Sequence, residues 1–358
     1  MIQKKPYKIL IVDDSKTVVN WVSSIIQADS ELIILGTAEN PFEAVKIIEQ
    51  ETPDVILLDI EMPKMDGLIF LKKIMSQHPI PVVIFSGVAP KSSRKALEAL
   101  QYGAVEVIQK PGMLAGELGK SVGVQILQAL KSAALAKEKL QLLRSFSIHS
   151  KGSVIHSHKN VGMEAEKDKI IFIGASAGGP QAIEYLLSNI QTPAPPILIC
   201  QHMPGDFTKL FAERLNTLSE LEIKEGVEGE VIKENHAYIA NGFHHMMIVK
   251  PGLNYKIHLK DGPLVNLHKP AVDILFKSAA RYAGDKAIGI LLTGMGSDGA
   301  MGLLELKKAG AYTLVQDKKS ALVWGMPGAA FKLNAAKRVL SLHEILNYIN
   351  NLKHIKIN

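Results

Sequence analysis

The stretch Lys169-Ile170-Ile171-Phe172-Ile173-Gly174-Ala175-Ser176-Ala177-Gly178-Gly179 joins an apolar run to a glycine-rich turn. The apolar run is typical of a buried strand, and the residues from Pro180 onward have helical spacing. Small residues allow the chain to bend sharply between the two, and the first amides of a helix have no partner within it. The stretch therefore predicts an α/β fold that exposes Ser176 at a strand end, as a candidate nucleophile beside hydrogen-bond donors.

The same turn is also consistent with a second, simpler interpretation. Short motifs match often by chance, and a serine in a glycine-rich turn can serve only as a cap. The segment fits the Gly-x-Ser-x-Gly pattern of hydrolases literally. The choice between a nucleophile and a cap depends on partners elsewhere in the chain.

The composition is that of a globular protein with two domains. The chain has 358 residues, of which 47% are hydrophobic and 21% charged. No apolar run reaches the roughly twenty residues of a membrane-spanning helix, and no signal-peptide segment is present, so we predict a cytoplasmic protein that is not embedded in a membrane. The net charge of +6 comes from scattered lysines, which argues against nucleic-acid binding. Cys200 is the single cysteine, which excludes a disulfide framework and a multi-cysteine metal site.

Two series of alternating strand and helix patterns divide the chain. The first predicts parallel strands over 8–12, 32–37, 55–58, 81–85 and 105–108, and the second over 170–173, 196–200, 287–292 and 311–315. Residues 222–258 have the turn signals of antiparallel hairpins. We predict a first domain over 1–130, a helical and polar linker over 131–168 that includes His149, His156 and His158, and a second domain over 169–358.

Polar side chains follow four strands of the first series. Asp13 and Asp14 come after the first strand, Asp59 after the third, Ser86 after the fourth and Lys110 after the fifth. In a doubly wound sheet these positions share the carboxyl edge, where ligands bind. Three carboxylates would repel one another there unless a cation lay between them, and Mg²⁺ prefers such oxygen ligands. Lys110 and Ser86 would contact phosphate oxygens.

With the motif 59–67, this set resembles the response-regulator receiver family over residues 8–112. The resemblance implies that Asp59 accepts a phosphoryl group from a histidine kinase. It also implies that the two aspartates of the first strand, Asp59 and the Glu61 carbonyl surround Mg²⁺. The chain departs from the family at Val107, where many receivers carry an aromatic residue that reorients on activation.

A serine nucleophile needs a base, and the base needs an orienting group. His202 follows the strand 196–200, and Asp298 follows the strand 287–292. If the sheet is parallel, both lie at the same edge as Ser176, and the three residues form a candidate triad. Taken singly, His202 is also consistent with a polar turn residue and Asp298 with a helix N-cap.

A rival interpretation rests on the glycine loop 294–299. It matches Gly-x-Gly-x-x-Gly between a strand and a helix, and Asp317 follows at nearly the distance of a ribose ligand, so a dinucleotide site is an alternative. Against it, Asp298 would place a carboxylate beside a pyrophosphate. The order Ser176, His202, Asp298 also differs from that of ordinary α/β-hydrolases.

Several segments between residues 169 and 345 together resemble the catalytic domain of chemotaxis protein-glutamate methylesterases. They are 174–179, 201–204, 269–276, 292–302, 316–317 and 325–327. The order of a receiver followed by this domain is that of the family. The resemblance implies a cytoplasmic, phosphorylation-activated enzyme that hydrolyses glutamate methyl esters on methyl-accepting chemoreceptors and also deamidates receptor glutamines.

The resemblance also assigns roles within the second domain. It implies that Ser176 attacks, His202 takes the proton, Asp298 holds the imidazole, and the backbone amides of Met295 and Ala177 stabilise the oxyanion, without a cofactor. Many relatives carry Thr where this chain has Ala177. The family further implies that the unphosphorylated receiver covers the catalytic cleft. A non-catalytic, phosphorylation-dependent interaction module stays as a further alternative.

Overall fold

The computed structural model describes residues 5–62, 66–87, 89–112, 116–147 and 168–352. The predicted α/β fold is confirmed: the chain forms two parallel sheets with helices and one small antiparallel pair. None of the helices in the described ranges has both the length and the hydropathy needed to cross a bilayer. The domain boundaries given above stay a prediction. His149, His156 and His158 lie outside the described residues, as do residues 63–65 of the first-domain motif.

Strands and helices alternate through the N-terminal part. The elements are β1 (Tyr7–Val12), α1 (Lys16–Gln27), β2 (Leu32–Ala38), α2 (Pro41–Gln50), β3 (Val55–Leu58), α3 (Gly67–Gln77), β4 (Val82–Ser86), α4 (Pro90–Gln101), β5 (Glu106–Gln109) and α5 (Glu117–Ser147). The sheet has the order β2-β1-β3-β4-β5 and is parallel throughout. Strands β3 and β4 are buried along their whole length because helices cover both faces of the sheet.

A larger sheet organises the C-terminal part. The elements are β6 (Ile170–Ala175), α6 (Gly179–Leu187), β7 (Ile197–Gln201), α7 (Gly205–Leu218), β8 (Glu222–Glu225), β9 (His236–Ile239), β10 (His245–Val249), β11 (Lys256–Lys260), α8 (Val272–Tyr282), a short 3-10 helix (Gly284–Lys286), β12 (Ala287–Leu291), α9 (Ala300–Lys308), β13 (Tyr312–Gln316), α10 (Gly325–Lys332), β14 (Arg338–Leu340) and α11 (Leu342–Asn351). Seven of these strands form a parallel sheet in the order β14-β13-β12-β6-β7-β9-β8. The strand before Ser176 therefore lies at the centre of the sheet.

The antiparallel section is smaller than the sequence indicated. Strands β8 and β9 pair in parallel and extend the main sheet, and only β10 and β11 form an antiparallel hairpin. The prediction of antiparallel hairpins over 222–258 was therefore wrong for the first half of that range. The turn signal at Glu228 and Gly229 lies in a crossover between β8 and β9, where Val231 bridges to Lys256 of β11, and such a crossover joins parallel strands.

The two sheets are joined by one interface near the end of β6. Ala177 and Val323 of the C-terminal part belong to a hydrophobic cluster that also contains Phe85, Val105 and Ile108 of the N-terminal part. Helix α4 packs against both α6 and α7. The turn that carries Ser176 is therefore also a point of contact between the two parts.

Polar contacts at this interface use mainly main-chain acceptors. The Gly178 amide donates to the Val105 carbonyl at 3.1 Å. The Gln181 side-chain amide donates to the carbonyls of Leu100 and Ala104 at 2.8 and 2.9 Å. In addition, Gln109 Nε2 donates to Asp206 Oδ2 at 2.7 Å, and Lys139 Nζ donates to the Lys318 carbonyl at 2.5 Å.

Gly174 of β6 has no room for a side chain, so Gly174→Ala should destabilise the protein. A Cβ at this position would lie 2.2 Å from Val272 Cγ1 and 3.0 Å from Leu291 Cδ1, both of which belong to fully buried side chains. We expect a loss of about 1–3 kcal/mol in the free energy of unfolding, measured by urea unfolding of the full chain. Gly262→Ala is the control, because its Cβ would meet nothing closer than 4.0 Å. Equal stability of the two variants would contradict the packing described for β6.

Candidate active site

Three neighbouring strands end at the same edge of the larger sheet, and a predicted site residue follows each of them. Ser176 follows β6, His202 follows β7 and Asp298 follows β12. Backbone hydrogen bonds join these strand ends, since Ser176 N donates to the Thr293 carbonyl and His202 N to the Ala175 carbonyl, each at 3.0 Å. The parallel sheet therefore brings the three candidate residues together.

A buried hydrogen bond couples His202 to Asp298. The atoms His202 Nε2 and Asp298 Oδ2 lie 2.8 Å apart, and the two side chains are 4% and 2% exposed. Asp298 also accepts the Val272 amide at 2.6 Å and the Asn266 side-chain amide at 2.8 Å. Burial alone would raise the pKa of the Asp298 carboxyl, but these three hydrogen bonds outweigh it and hold the pKa well below its usual range. Asp298 is thus an ionised group that orients the imidazole.

The second imidazole nitrogen of His202 is left free to take a proton. Within the described ranges, His202 Nδ1 is buried and has no hydrogen-bond partner. We assign the ring proton to Nε2, which faces the Asp298 carboxylate, so that Nδ1 carries the lone pair. Ser176 is itself only 4% exposed, and no hydrogen bond joins its hydroxyl to Nδ1 in this structure. Such bonds often form only when substrate is bound.

Two backbone amides near Ser176 are candidate oxyanion donors. Among the described residues, no main-chain acceptor takes up the amide of Ala177 or that of Met295. Gly294 allows this approach, because a Cβ there would lie 2.9 Å from Ser176 Cβ. Thr293 Oγ1 donates to the Ala177 carbonyl at 2.9 Å and so holds the Ala177–Gly178 peptide, one residue beyond the amide of Ala177.

The Gln201 side chain links the turn after Ser176 (residues 176–179), here called the nucleophile turn, to His202. The sequence patterns did not reveal this contact. The buried Gln201 Nε2 donates to the Ser176 carbonyl at 3.0 Å and to the His202 carbonyl at 2.9 Å. Gly179 makes room for this side chain, since a Cβ there would lie 2.0 Å from Gln201 Oε1. One sequence signal could have identified Gln201: it is a polar residue at the end of an apolar strand, directly before His202.

Two further residues reach the catalytic pair from the loop before α8, and neither was predicted. Asn266 Nδ2 donates to Asp298 Oδ1 at 2.8 Å and to Asp273 Oδ2 at 3.0 Å. The His268 ring stacks on the His202 ring, with centroids 3.6 Å apart and planes 13° apart. Both lie just before the quoted motif 269–276, but no spacing rule connects them to residues so distant in sequence.

Cys200 is not a competing nucleophile. The side chain is 1% exposed within β7, and burial raises the pKa of its thiol well above the usual value. In this environment the side chain packs as a small apolar group.

The glycine loop 294–299 leads from β12 into α9, as a dinucleotide site would require. Its Asp298 carboxylate, however, is committed to His202. Asp317 Oδ1 closes a local turn by accepting the amide and hydroxyl of Ser320 at 2.8 and 2.7 Å, so it is not presented to a ribose. The geometry therefore favours the hydrolase interpretation over the dinucleotide interpretation.

The predicted acidic cluster of the N-terminal sheet is also assembled. One ligand oxygen from each of Asp13, Asp14 and Asp59 lies within 4.8 Å of the others, and Lys110 Nζ contacts Asp13 at 2.7 Å and Asp59 at 2.6 Å. The Glu61 amide donates to Asp59 Oδ1 at 2.8 Å. Three hard oxygen ligands in this arrangement could hold a divalent cation.

Burial sets the electrostatics of this cluster. Burial raises the pKa of the Asp13 carboxyl above its usual range, although Lys110 opposes the shift. Burial would lower the pKa of the Lys110 ammonium, but Asp59 and Asp13 outweigh it and raise the pKa. The Ser86 hydroxyl is fully buried and has no hydrogen-bond partner among the residues described. The cluster therefore combines buried charged groups with a hydroxyl that no described residue bonds, a set of groups that could contact a phosphoryl group.

Two family models match the chain, one for each sheet. The response regulator receiver domain matches residues 9–121, and the CheB methylesterase matches residues 171–349. The catalytic domain of CheB methylesterase from Thermotoga maritima, a crystal structure, covers 52% of this chain and is itself covered completely, with 34% identity and a TM-score of 0.51.

Full-length relatives combine both parts. Protein-glutamate methylesterase/protein-glutamine glutaminase 2 of Oleidesulfovibrio alaskensis is 44% identical over 94% of this chain and 95% of its own length. Protein-glutamate methylesterase/protein-glutamine glutaminase 3 of Geobacter metallireducens is 41% identical over 97% of this chain and 99% of its own length. The chain therefore belongs to the family of protein-glutamate methylesterases/protein-glutamine glutaminases, in which a receiver domain precedes a CheB methylesterase domain.

Proposed function

We propose that this chain is a phosphorylation-activated enzyme that hydrolyses glutamate methyl esters on chemoreceptors and deamidates receptor glutamines. The observation that carries the proposal is the buried His202–Asp298 pair, whose Nδ1 has no partner among the described residues and whose His202 backbone is bonded to Ala175, the residue before Ser176. Relatives that match nearly the whole chain are named for both activities. A non-catalytic interaction module would not require a buried carboxylate hydrogen-bonded to an imidazole, as Asp298 is to His202.

The first half of the reaction transfers the acyl group to the enzyme. Ser176 Oγ attacks the γ-carbonyl carbon of the methylated glutamate while His202 Nδ1 takes the hydroxyl proton. Asp298 stabilises the imidazolium that results. The amides of Ala177 and Met295 donate to the oxyanion, and each such donor contributes about 10²–10³-fold in rate. The ester C–O bond then breaks, and methanol leaves with the proton from His202.

The second half restores the enzyme with water. His202 Nδ1 accepts a proton from water as the water oxygen attacks the acyl carbon, and the bond to Ser176 Oγ breaks as the serine recovers its proton. The receptor keeps a free glutamate. The same steps convert a glutamine to a glutamate when ammonia, rather than methanol, is the leaving group.

Ser176→Ala should abolish methanol release from methylated receptor, because no other described group is placed to form the acyl intermediate. We expect a loss of at least about 10³-fold in kcat, measured as methanol released from receptor-containing membranes in the presence of a small acyl phosphate. Ser188→Ala is the matched control, since this exposed hydroxyl bonds only within α6 and its C-terminal turn. Turnover retained in the Ser176 variant would remove the triad assignment.

The receiver acts on the site through the nucleophile turn. The Val105 carbonyl at the start of β5 holds the Gly178 amide, two residues after Ser176, and β5 ends beside Lys110 at the phosphorylation site. In the unphosphorylated protein this contact keeps the receiver against the turn and restricts access to the cleft. When Asp59 is phosphorylated, Lys110 gains a phosphate partner, and the shift of β5 weakens the contact.

Mg²⁺ fits the acidic cluster because one carboxylate oxygen from each of Asp13, Asp14 and Asp59 lies within 4.8 Å of the others, and the ion prefers hard oxygen ligands. Asp13, Asp14, Asp59 and the Glu61 carbonyl would hold the ion, which when bound offsets the charge of the incoming phosphoryl group. Asp59 attacks the phosphorus of a kinase phosphohistidine, and the P–N bond breaks. Ser86 and Lys110 bind the transferred phosphoryl oxygens.

Asp59→Asn should remove the response to a phosphodonor and leave basal turnover intact, since the amide cannot form an acyl phosphate. The measurement compares methanol release with and without a small acyl phosphate and Mg²⁺. The variant should match the unstimulated wild type under both conditions, whereas the wild type should accelerate. Stimulation that persists in Asp59→Asn would place the phosphorylation site elsewhere.

Gln181→Ala should raise the basal activity of the unphosphorylated enzyme. The variant loses two hydrogen bonds to the receiver carbonyls of Leu100 and Ala104, worth about 1–2 kcal/mol together, so the open state and the basal rate should increase roughly 5- to 30-fold. The rate after full phosphorylation should not change. Gln191→Ala, at an exposed position in the loop after α6, is the control. An unchanged basal rate in the Gln181 variant would contradict restriction by the receiver.

A further inference from the structure

A tight turn outside the main sheet contacts both His202 and Asp298. We name residues 265–268 the clamp turn. Val265 N donates to the His268 carbonyl at 3.0 Å, and His268 N to the Val265 carbonyl at 2.9 Å. Between them, Asn266 at φ 53° and Leu267 at φ 70° both have left-handed backbone, as in a type I′ hairpin turn.

The clamp turn is strained, and two of its side chains, those of Asn266 and His268, contact the His202–Asp298 pair. Leu267 occupies a position that glycine would adopt without cost, and backbone of this kind persists only where its surroundings determine it. Those surroundings are Asn266 bonded to Asp298 and His268 stacked on His202. The strain is therefore tied to contacts with the catalytic pair rather than to contacts in the core.

His268 is not itself suited to act as the base. Burial and the neighbouring His202 lower the pKa of His268 to about 3, against a smaller opposing effect of Asp298. The lowered pKa favours the neutral ring, and a weaker base of this kind is less able to accept the serine proton. Its contribution must come from the position of the ring.

We propose that His268 is a positioning residue whose ring confines the His202 imidazole to the one plane in which Nε2 faces Asp298 and Nδ1 is presented to Ser176. Among the residues described, His202 has a hydrogen-bond partner at Nε2 and none at Nδ1, and a single bond permits the ring to rotate about it. The stacked ring, 3.6 Å away, removes this freedom. A neutral partner also tolerates the imidazolium that forms during the reaction, whereas a second cation would repel it.

This inference rests on the proposed function, and its test separates the ring from the nitrogens. His268→Ala removes the ring, whereas His268→Phe keeps a flat ring in the same place without its nitrogens. His258→Ala is the matched control, because His258 is exposed and its described ion pair is with Glu228. Each full-length variant is activated with a small acyl phosphate, and kcat and KM for methanol release from methylated receptor are compared. Thermal midpoints verify that the variants are folded.

We expect His268→Ala to lower kcat on the order of 10–100-fold with KM unchanged within about twofold, since small misplacements of a catalytic group have effects of this size. His268→Phe should recover kcat to within about fivefold of the wild type, and His258→Ala should equal it. A kcat that is lost equally in the Ala and Phe variants, a change confined to KM, or no change at all would each overturn the positioning role. Failure of the wild type itself to release methanol would instead refute the proposed function.

Discussion

The hydrogen bond between His202 and Asp298 is the interaction on which the rest of the site depends. Its two partners follow β7 and β12, which are not neighbours but flank β6 on either side. The bond therefore joins residues that follow the two strands on either side of β6, the strand that Ser176 follows. Any change in strand order or register would separate base from carboxylate, so the seven-stranded parallel sheet is the structural requirement for the chemistry.

The nucleophile turn contains two adjacent backbone amides that differ in their hydrogen bonding. Among the described residues no main-chain acceptor takes up the amide of Ala177, whereas the amide of Gly178 donates to the Val105 carbonyl of the receiver. The amide proposed as an oxyanion donor and the amide bonded to the receiver thus belong to adjacent residues, so the contact with the receiver lies one residue from the proposed catalytic machinery.

Much of this arrangement was predictable from sequence, because alternating strand and helix patterns place polar residues at one edge of a parallel sheet. This reasoning predicted that Ser176, His202 and Asp298 lie at one sheet edge, and the strands that precede them are adjacent in the sheet. Their catalytic roles stay predictions. Asn266 and His268 could not be found in this way, since they reach the site from a loop whose path depends on tertiary packing. The parallel pairing of β8 and β9 was missed because a turn signal does not distinguish a hairpin from a crossover.

The interface between the two domains has a consequence for how the protein can evolve. On the receiver side, the groups that hold the nucleophile turn and Gln181 are the backbone carbonyls of Leu100, Ala104 and Val105. A carbonyl is the same whatever side chain accompanies it. Substitutions along this edge of the receiver, for instance to suit a new kinase, therefore leave these hydrogen bonds unchanged and alter only the hydrophobic part of the contact, to which the Val105 side chain contributes.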